Sequence, residues 1–286
     1  ADLYIQAARI LEEEKGQARF REVVIDEAQD LPPSALYVAS LLAGGGASRR
    51  LMLLADPAQS IYYRGIPWKQ GGVEIAPARV KTLKRNYRNS RQILELALSL
   101  AEAEPTKPLD EVILPEFSSK SGIRPRWYPI AGGKELQIKA IKELIIQLHA
   151  SGNYRYGDIA VLSKKHEDLI TIAGALNKYE IPAHYFRRDG FKLLENEVKV
   201  ITMHSAKGLE FPVVILAFVD EGKIPRKMPA DIDAKDLEME FRIERQLLYV
   251  AFTRASEALY IYSTSGKQSR FLADLPLDQM IVMNEM

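Results

Sequence analysis

Apolar residues follow two rhythms along this chain. Short unbroken runs at Val23–Ile25 and Leu51–Leu54 read as strands of the kind buried on both faces of a parallel sheet. Further strands are predicted at Arg124–Ile130, Ile159–Leu162, Ala183–Phe186, Val198–Met203, Val213–Ala217 and Ala258–Tyr262, with one more near Arg79–Leu83. Between them, apolar positions recur at helical spacing. Helices are predicted over Leu3–Glu14, Ser34–Ala43, Ser90–Ala103, Lys134–Ala150, Lys165–Tyr179 and Leu237–Thr253. Pro32 and Pro33 introduce the second of these, and Gly44–Gly46 stop it. No Lys-Ser or Lys-Thr follows those glycines, so they are a helix stop and not a phosphate loop. Strand and helix alternation argues an α/β fold. No fixed-period repeat is present, which excludes a solenoid.

Length changes this picture by dividing it. At 286 residues and 47% hydrophobic content, two domains fit the usual ~100–200 residues each. The change falls between Leu83 and Ser90, giving lobes 1–85 and 86–286, although the prolines of Pro105–Pro115 alone would place it later. Lys plus Arg (39) nearly balances Asp plus Glu (38), so any nucleic-acid surface must be local. The absence of cysteine excludes disulfides, thiol catalysis and Cys-ligated zinc, and the four His have no metal-ligand spacing. No apolar run reaches the ~20 residues that span a bilayer, and no signal-like start is present. The expectation is a soluble, cytoplasmic protein without a membrane partner.

The candidate chemistry sits where strands end. In VVIDEAQD, Asp26 and Glu27 follow a strand directly, where an Asp can hold Mg²⁺ and an adjacent Glu can take a proton from attacking water. The alternative is a plain turn, with Asp30 capping the helix region at Ser34. The next strand ends in LMLLADPAQSIYYRG, which brings Asp56 and Gln59 near those acids if the strands are neighbours. In LKRNYRNS, Tyr87 offers a π-face and Arg88 a fork suited to phosphate.

These stretches, with VITMHSAKGLEFPVVIL and ERQLLYVAFTRAS, occur in the order and approximate spacing of the UvrD/Rep-like superfamily 1 DNA helicases, which the chain resembles over nearly its whole length. The resemblance implies two RecA-like lobes of the P-loop NTPase helicase type, the first incomplete, with ATP and Mg²⁺ as cofactors. It implies that Asp26 is the magnesium-associated carboxylate, Glu27 the general base and Gln59 the γ-phosphate sensor. Tyr87 is similar to the adenine-stacking tyrosine and Arg88 to the first γ-phosphate arginine. Glu210 resembles the ribose-contacting acid, and Gly208 a glycine that permits close backbone approach. His204 lies where the family touches DNA. Arg254 resembles the second γ-phosphate arginine. The implied activity is ATP-driven 3′-to-5′ movement on single-stranded DNA or at a single-strand/duplex junction, by lobe closure.

For base stacking Tyr63 is the first candidate. Many family members read Tyr-Arg-Trp-Arg-Gly where this chain reads Tyr62–Tyr63–Arg64–Gly65, so Trp68 stays open as the alternative. His204 also stays open as a satisfied polar residue. Tyr249 and Phe252 read as core, and Arg49–Arg50, Lys164–Lys165 and Arg187–Arg188 as solvated faces. No GxxxxGK[ST] occurs in the sequence, and the chain begins ADLY without Met. The expectation is therefore a C-terminal portion of a helicase, unable to hydrolyse ATP alone. Arg91 to Val198 is long enough only for the second lobe, so no large inserted subdomain is expected. Two rival readings are a non-catalytic DNA-binding module and the motor part of a helicase–nuclease.

Overall fold

The structure, a computed structural model, describes residues 2–13, 20–44, 50–56, 71–73, 80–83, 85–102, 120–186 and 194–283. The chain divides into two units, Ala1–Leu83 and Lys84–Met286.

In the first unit α1 (Asp2–Glu13) packs along α2 (Pro33–Leu42), where Glu12 accepts a hydrogen bond from Tyr37. Proline suits the first turn of α2 because its missing N–H has no partner there. Gly44, at φ 84°, ends the helix in the left-handed region that glycine adopts without strain. Strands β1 (Val23–Ile25) and β2 (Leu51–Leu53) pair in parallel, Val23 opposite Leu51 and Ile25 opposite Leu53. Burial on both faces, expected for such strands, is not what the unit shows. Val24 and Met52 are 62% and 57% exposed while the alternate residues are half-buried, so only one face of the pair is covered. The strand expected near Arg79–Leu83 does not form across its described part. Residues 80–83 are exposed, Leu83 to 91%, and join no ladder among the described residues.

The second unit is a seven-stranded sheet in the order β5-β6-β4-β7-β8-β3-β9, with every pairing parallel. Its strands are β3 (Arg126–Ile130), β4 (Ile159–Ser163), β5 (Ala183–Tyr185), β6 (Val198–Thr202), β7 (Phe211–Leu216), β8 (Ala255–Thr264) and β9 (Ile281–Val282). All residues of β4 and β6 are buried, as strands covered on both faces require. One face carries α4 (Lys134–Ala150) and α5 (His166–Lys178), whose Ile141, Ile145, Leu169 and Ile172 pack on Val161, Val200, Val213 and Ile215. Alternate strand residues such as Leu162, Val214 and Ile261 are buried on the opposite face. There α3 (Arg91–Glu102) and α6 (Ala234–Phe252) pack on each other and on β8. Tyr249 and Phe252 are core, as expected.

Helix α7 (Arg270–Ala273) and β9 have no counterpart in the sequence reading, because neither is long enough to show a period. Arg270 and Arg245 lie over the rings of Phe241 and Phe271, at 4.7 and 4.6 Å, which fastens α7 to α6. Among the described residues no helix is long and apolar enough to cross a membrane.

Ile215 is fully buried in the central strand, and Leu194 is almost fully exposed. In urea unfolding, Ile215→Ala is expected to cost about 2–5 kcal/mol and Leu194→Ala no more than about 0.5 kcal/mol. Equal losses would contradict this assignment of the core.

Candidate functional site

In the first unit the chain turns sharply after β1. Glu27 sits in the left-handed region at φ 52°, which costs a non-glycine residue roughly 1–2 kcal/mol. Surrounding bonds hold it there. Leu54 N–H donates to Ile25 O at 2.8 Å, Ala28 N–H to Leu54 O at 2.9 Å, and Glu27 N–H to Asp26 Oδ1 at 2.9 Å. Buried Gln29 donates through Nε2 to the Glu27 carboxylate, and its Oε1 accepts from Asp56 N–H at 3.1 Å. The turn therefore brings Asp26, Glu27 and the Asp56 backbone to one end of the β1–β2 pair. Sequence reasoning passed over Gln29. Its signal was an amide two residues after a carboxylate, which can satisfy acceptors and donors together.

Asp30 closes a short turn, its N–H donating to Glu27 O at 3.0 Å, and the residue preceding α2 is Pro32, with no side-chain cap. Asp26 is exposed and presents a hard oxygen donor, which fits Mg²⁺. Among the described residues no group of three or more His, Asp or Glu is gathered for a metal. Gln59, Tyr63 and Trp68 lie outside the described residues.

In the second unit four of the predicted residues gather at the amino-terminal edge of the sheet. Arg88 Nε lies 2.7 Å from Glu210 Oε2, both side chains being partly exposed. Tyr87 is 74% exposed, with the Arg85 guanidinium 6.0 Å from its ring. Glu210 leads into β7 and Arg254 into β8, and Phe211 N–H donates to Arg254 O at 2.9 Å. Arg254 is fully buried. Its Nε donates to Val250 O at 3.0 Å, Nη1 to Leu209 O at 3.1 Å and Nη2 to Thr253 Oγ1 at 3.2 Å. Val250 lies in the last turn of α6, where unpaired carbonyls and the helix dipole favour a cation. Gly208 has φ 79°, yet a Cβ there would meet nothing within 4 Å. Backbone conformation, not close approach within this chain, is what asks for glycine at that position.

His204 lies at the other edge, just beyond β6, half-buried. The turn is held by Thr202 Oγ1, which accepts from Ser205 N–H at 3.0 Å. Burial lowers the imidazole pKa below its ordinary value of 6.5, and the positive charges of Lys164 and His166 lower it further. Lys164 corrects an expectation. Instead of lying on a solvated face it is mostly buried and ion-paired with Glu244, itself buried on α6. Leaving β4, the chain points this side chain under α6, which sequence spacing does not show. Arg50 is exposed and pairs with Glu22 at 3.1 Å, while Arg49, Arg187 and Arg188 lie outside the described residues.

Two family models match the chain. One, described as the UvrD-like helicase C-terminal domain, covers residues 81–194 and 186–266, and the other, the UvrD/REP helicase N-terminal domain, covers 1–71. DNA helicase II of Salmonella typhimurium is 30% identical over 197 residues, which is 65% of this chain and 25% of that protein. The ATP-dependent DNA helicase PcrA of Staphylococcus epidermidis is 44% identical over 94 residues, 29% of this chain and 12% of that protein. The matched part thus spans a quarter or less of these curated relatives. A solved structure, the C-terminal domain of a possible DNA helicase from Lactobacillus plantarum WCFS1, matches at TM-score 0.50 and 18% identity. It covers 69% of this chain and 98% of that domain, a likeness of fold.

Because the folded pKa of His204 lies below 6.5, the unfolded chain binds this proton first as pH falls. Its contribution to stability is whole above about 6.5 and is lost as pH drops through the lower folded value. Urea unfolding at pH 7.5 and 5.5 should show a smaller loss for His204→Gln than for the parent chain. An unchanged loss would remove His204 as a source of the pH dependence.

Proposed function

The chain belongs to the UvrD-like helicase family, and we propose that it supplies most of the nucleotide-reading and DNA-tracking apparatus of an ATP-dependent DNA motor. The observation that carries this reading is the Arg88–Glu210 pair at 2.7 Å. It brings together two stretches far apart in sequence, each with its own nucleotide chemistry, beside an exposed Tyr87. In this reading Tyr87 stacks on adenine, Glu210 accepts from ribose hydroxyls, and Arg88 and Arg254 offset charge on the transferred phosphoryl group. Asp26 holds Mg²⁺, which when bound neutralises phosphate charge, and Glu27 accepts the proton of the attacking water. Gln59 senses the γ-phosphate. Gly208 lets the chain turn beside Glu210.

The partner is single-stranded DNA, alone or next to a duplex, met by His204 and by Tyr63 or Trp68, with 3′-to-5′ movement and cytoplasmic residence. The two units are read as RecA-like lobes, one at residues 1–85 and one at 86–286. The inward Arg254 favours a second reading, a DNA-binding module that no longer hydrolyses ATP, because a guanidinium held by neutral acceptors needs no phosphate.

Since the sequence holds no GxxxxGK[ST], the 286-residue polypeptide is expected not to hydrolyse ATP unaided. Joined to a family segment that carries one, it should show ATPase stimulated by single-stranded DNA. Glu27→Gln in that protein should lower kcat by about 10²–10⁴-fold with little change in KM. Normal turnover in the variant would remove Glu27 as the base, and no ATPase in the joined protein would favour the binding module.

A further inference from the structure

The loop Asn86–Ser90 lies against the turn Thr253–Ser256, and the Asn89 side chain bonds across the contact twice. Asn89 is buried, and its Nδ2 donates to Thr253 O at 2.8 Å and to Ala255 O at 2.6 Å, the carbonyls on either side of Arg254. Its Oδ1 accepts from Asn86 Nδ2 at 3.0 Å. Asn86 Oδ1 in turn accepts from the backbone N–H groups of Arg88 and Asn89, at 2.9 and 3.0 Å. Ser90 N–H closes the contact on Ser256 O at 3.1 Å. Beyond the turn, Arg254 O holds Phe211 N–H, next to Glu210.

We propose that Asn89 is a positioning residue of the nucleotide site, holding the Arg88 loop and the Arg254 turn in one frame so that both arginines address the same triphosphate. This rests on the nucleotide reading given above. A primary amide suits the position because it has two donors for two carbonyls and an acceptor for Asn86. Aspartate has nearly the same shape but no donor, and its charge would face both carbonyls. Serine has a single donor. Without the amide, Thr253 O and Ala255 O lose a buried partner, and the Arg88 loop loses two of the bonds that fix it to the Arg254 turn. Backbone ordering opposes binding, so a frame already in place favours the group that needs both arginines, the γ-phosphate.

The test is titration of the 286-residue chain with MgATP and with MgADP, followed by NMR of arginine side-chain N–H groups and backbone amides. The parent chain should favour ATP over ADP by roughly tenfold, the worth of about one charge-assisted hydrogen bond. Asn89→Asp should bring that ratio near parity, with ATP affinity falling about tenfold more than ADP affinity, because Tyr87 shares the ordered loop and serves both nucleotides while only the γ-phosphate needs both arginines. Asn89→Ala serves if the buried aspartate prevents folding. Ser99→Ala on α3, which removes the 2.8 Å bond to Gln279 away from both segments, is the destabilised control and should keep the preference. Full preference retained in a folded Asn89 variant, alongside its loss in Arg88→Ala, overturns the role of Asn89 alone. A parent chain without preference, or Arg88→Ala that keeps it, overturns the nucleotide reading and this inference together.

Discussion

Every strand of the large sheet runs the same way, and the placement of the chemistry in the second unit follows from that constraint. A parallel strand leaves its neighbour at the carboxyl edge, so each connection must return to the amino edge before pairing again. Most returns are made by helices that cover the faces. The segment Met203–Glu210 makes its return without one, as a run of turns with Ala206 buried and bonded to Thr202 O at 2.9 Å. His204 therefore stands at one edge and Glu210 at the other, at the two ends of a short piece of chain. Leu209 O, one residue from Glu210, accepts from the Arg254 guanidinium. The two edges are joined by this short run of turns, whose end at Leu209 is fastened to Arg254.

The two arginines at the amino edge differ in what releases them. Arg88 is paired with Glu210 where water reaches both, and such a pair contributes only about 0–1 kcal/mol. A phosphate competes with it at little loss. Arg254 is buried among carbonyl and hydroxyl oxygens at the end of α6, each of which would be left without that donor if the side chain swung out. Phosphate contact by Arg254 therefore requires an exchange of buried hydrogen bonds, whereas contact by Arg88 requires only the breaking of a surface pair. Of the two, the Arg88 pair is the one more readily exchanged.

Much of this was legible in the sequence, and what was not has a common cause. The runs around Ile159, Val198 and Val213 announced buried parallel strands because full coverage demands unbroken apolar residues. The same rule misjudged Val24 and Met52, since apolar composition does not say whether a neighbour covers the face. Asp26 and Glu27 were singled out as candidates by the rule that ligands gather beyond carboxyl ends of strands. That rule did not anticipate Arg88, Glu210 and Arg254, which stand at the amino edge. Lys164 read as solvated because its partner Glu244 belongs to a distant helix. Asn89 carried no signal, because its partners are backbone carbonyls 164 and 166 residues away and a backbone carbonyl leaves no trace in sequence.

That the frame at the amino edge is built from amides has a further consequence. Ordering this loop with a carboxylate would have set a negative charge beside Arg88 and Arg254, and the arginines would have been drawn to it. Asn86 and Asn89 order the same backbone without a charge, so the field of the arginines remains available to an anion from outside. Neutral bonds also persist across pH and salt, while the exposed Arg88–Glu210 pair weakens as salt rises. Permanent order and exchangeable charge are thus assigned to different side chains. The bonds that order the loop use the backbone N–H groups of Arg88 and Asn89, not the Arg88 guanidinium.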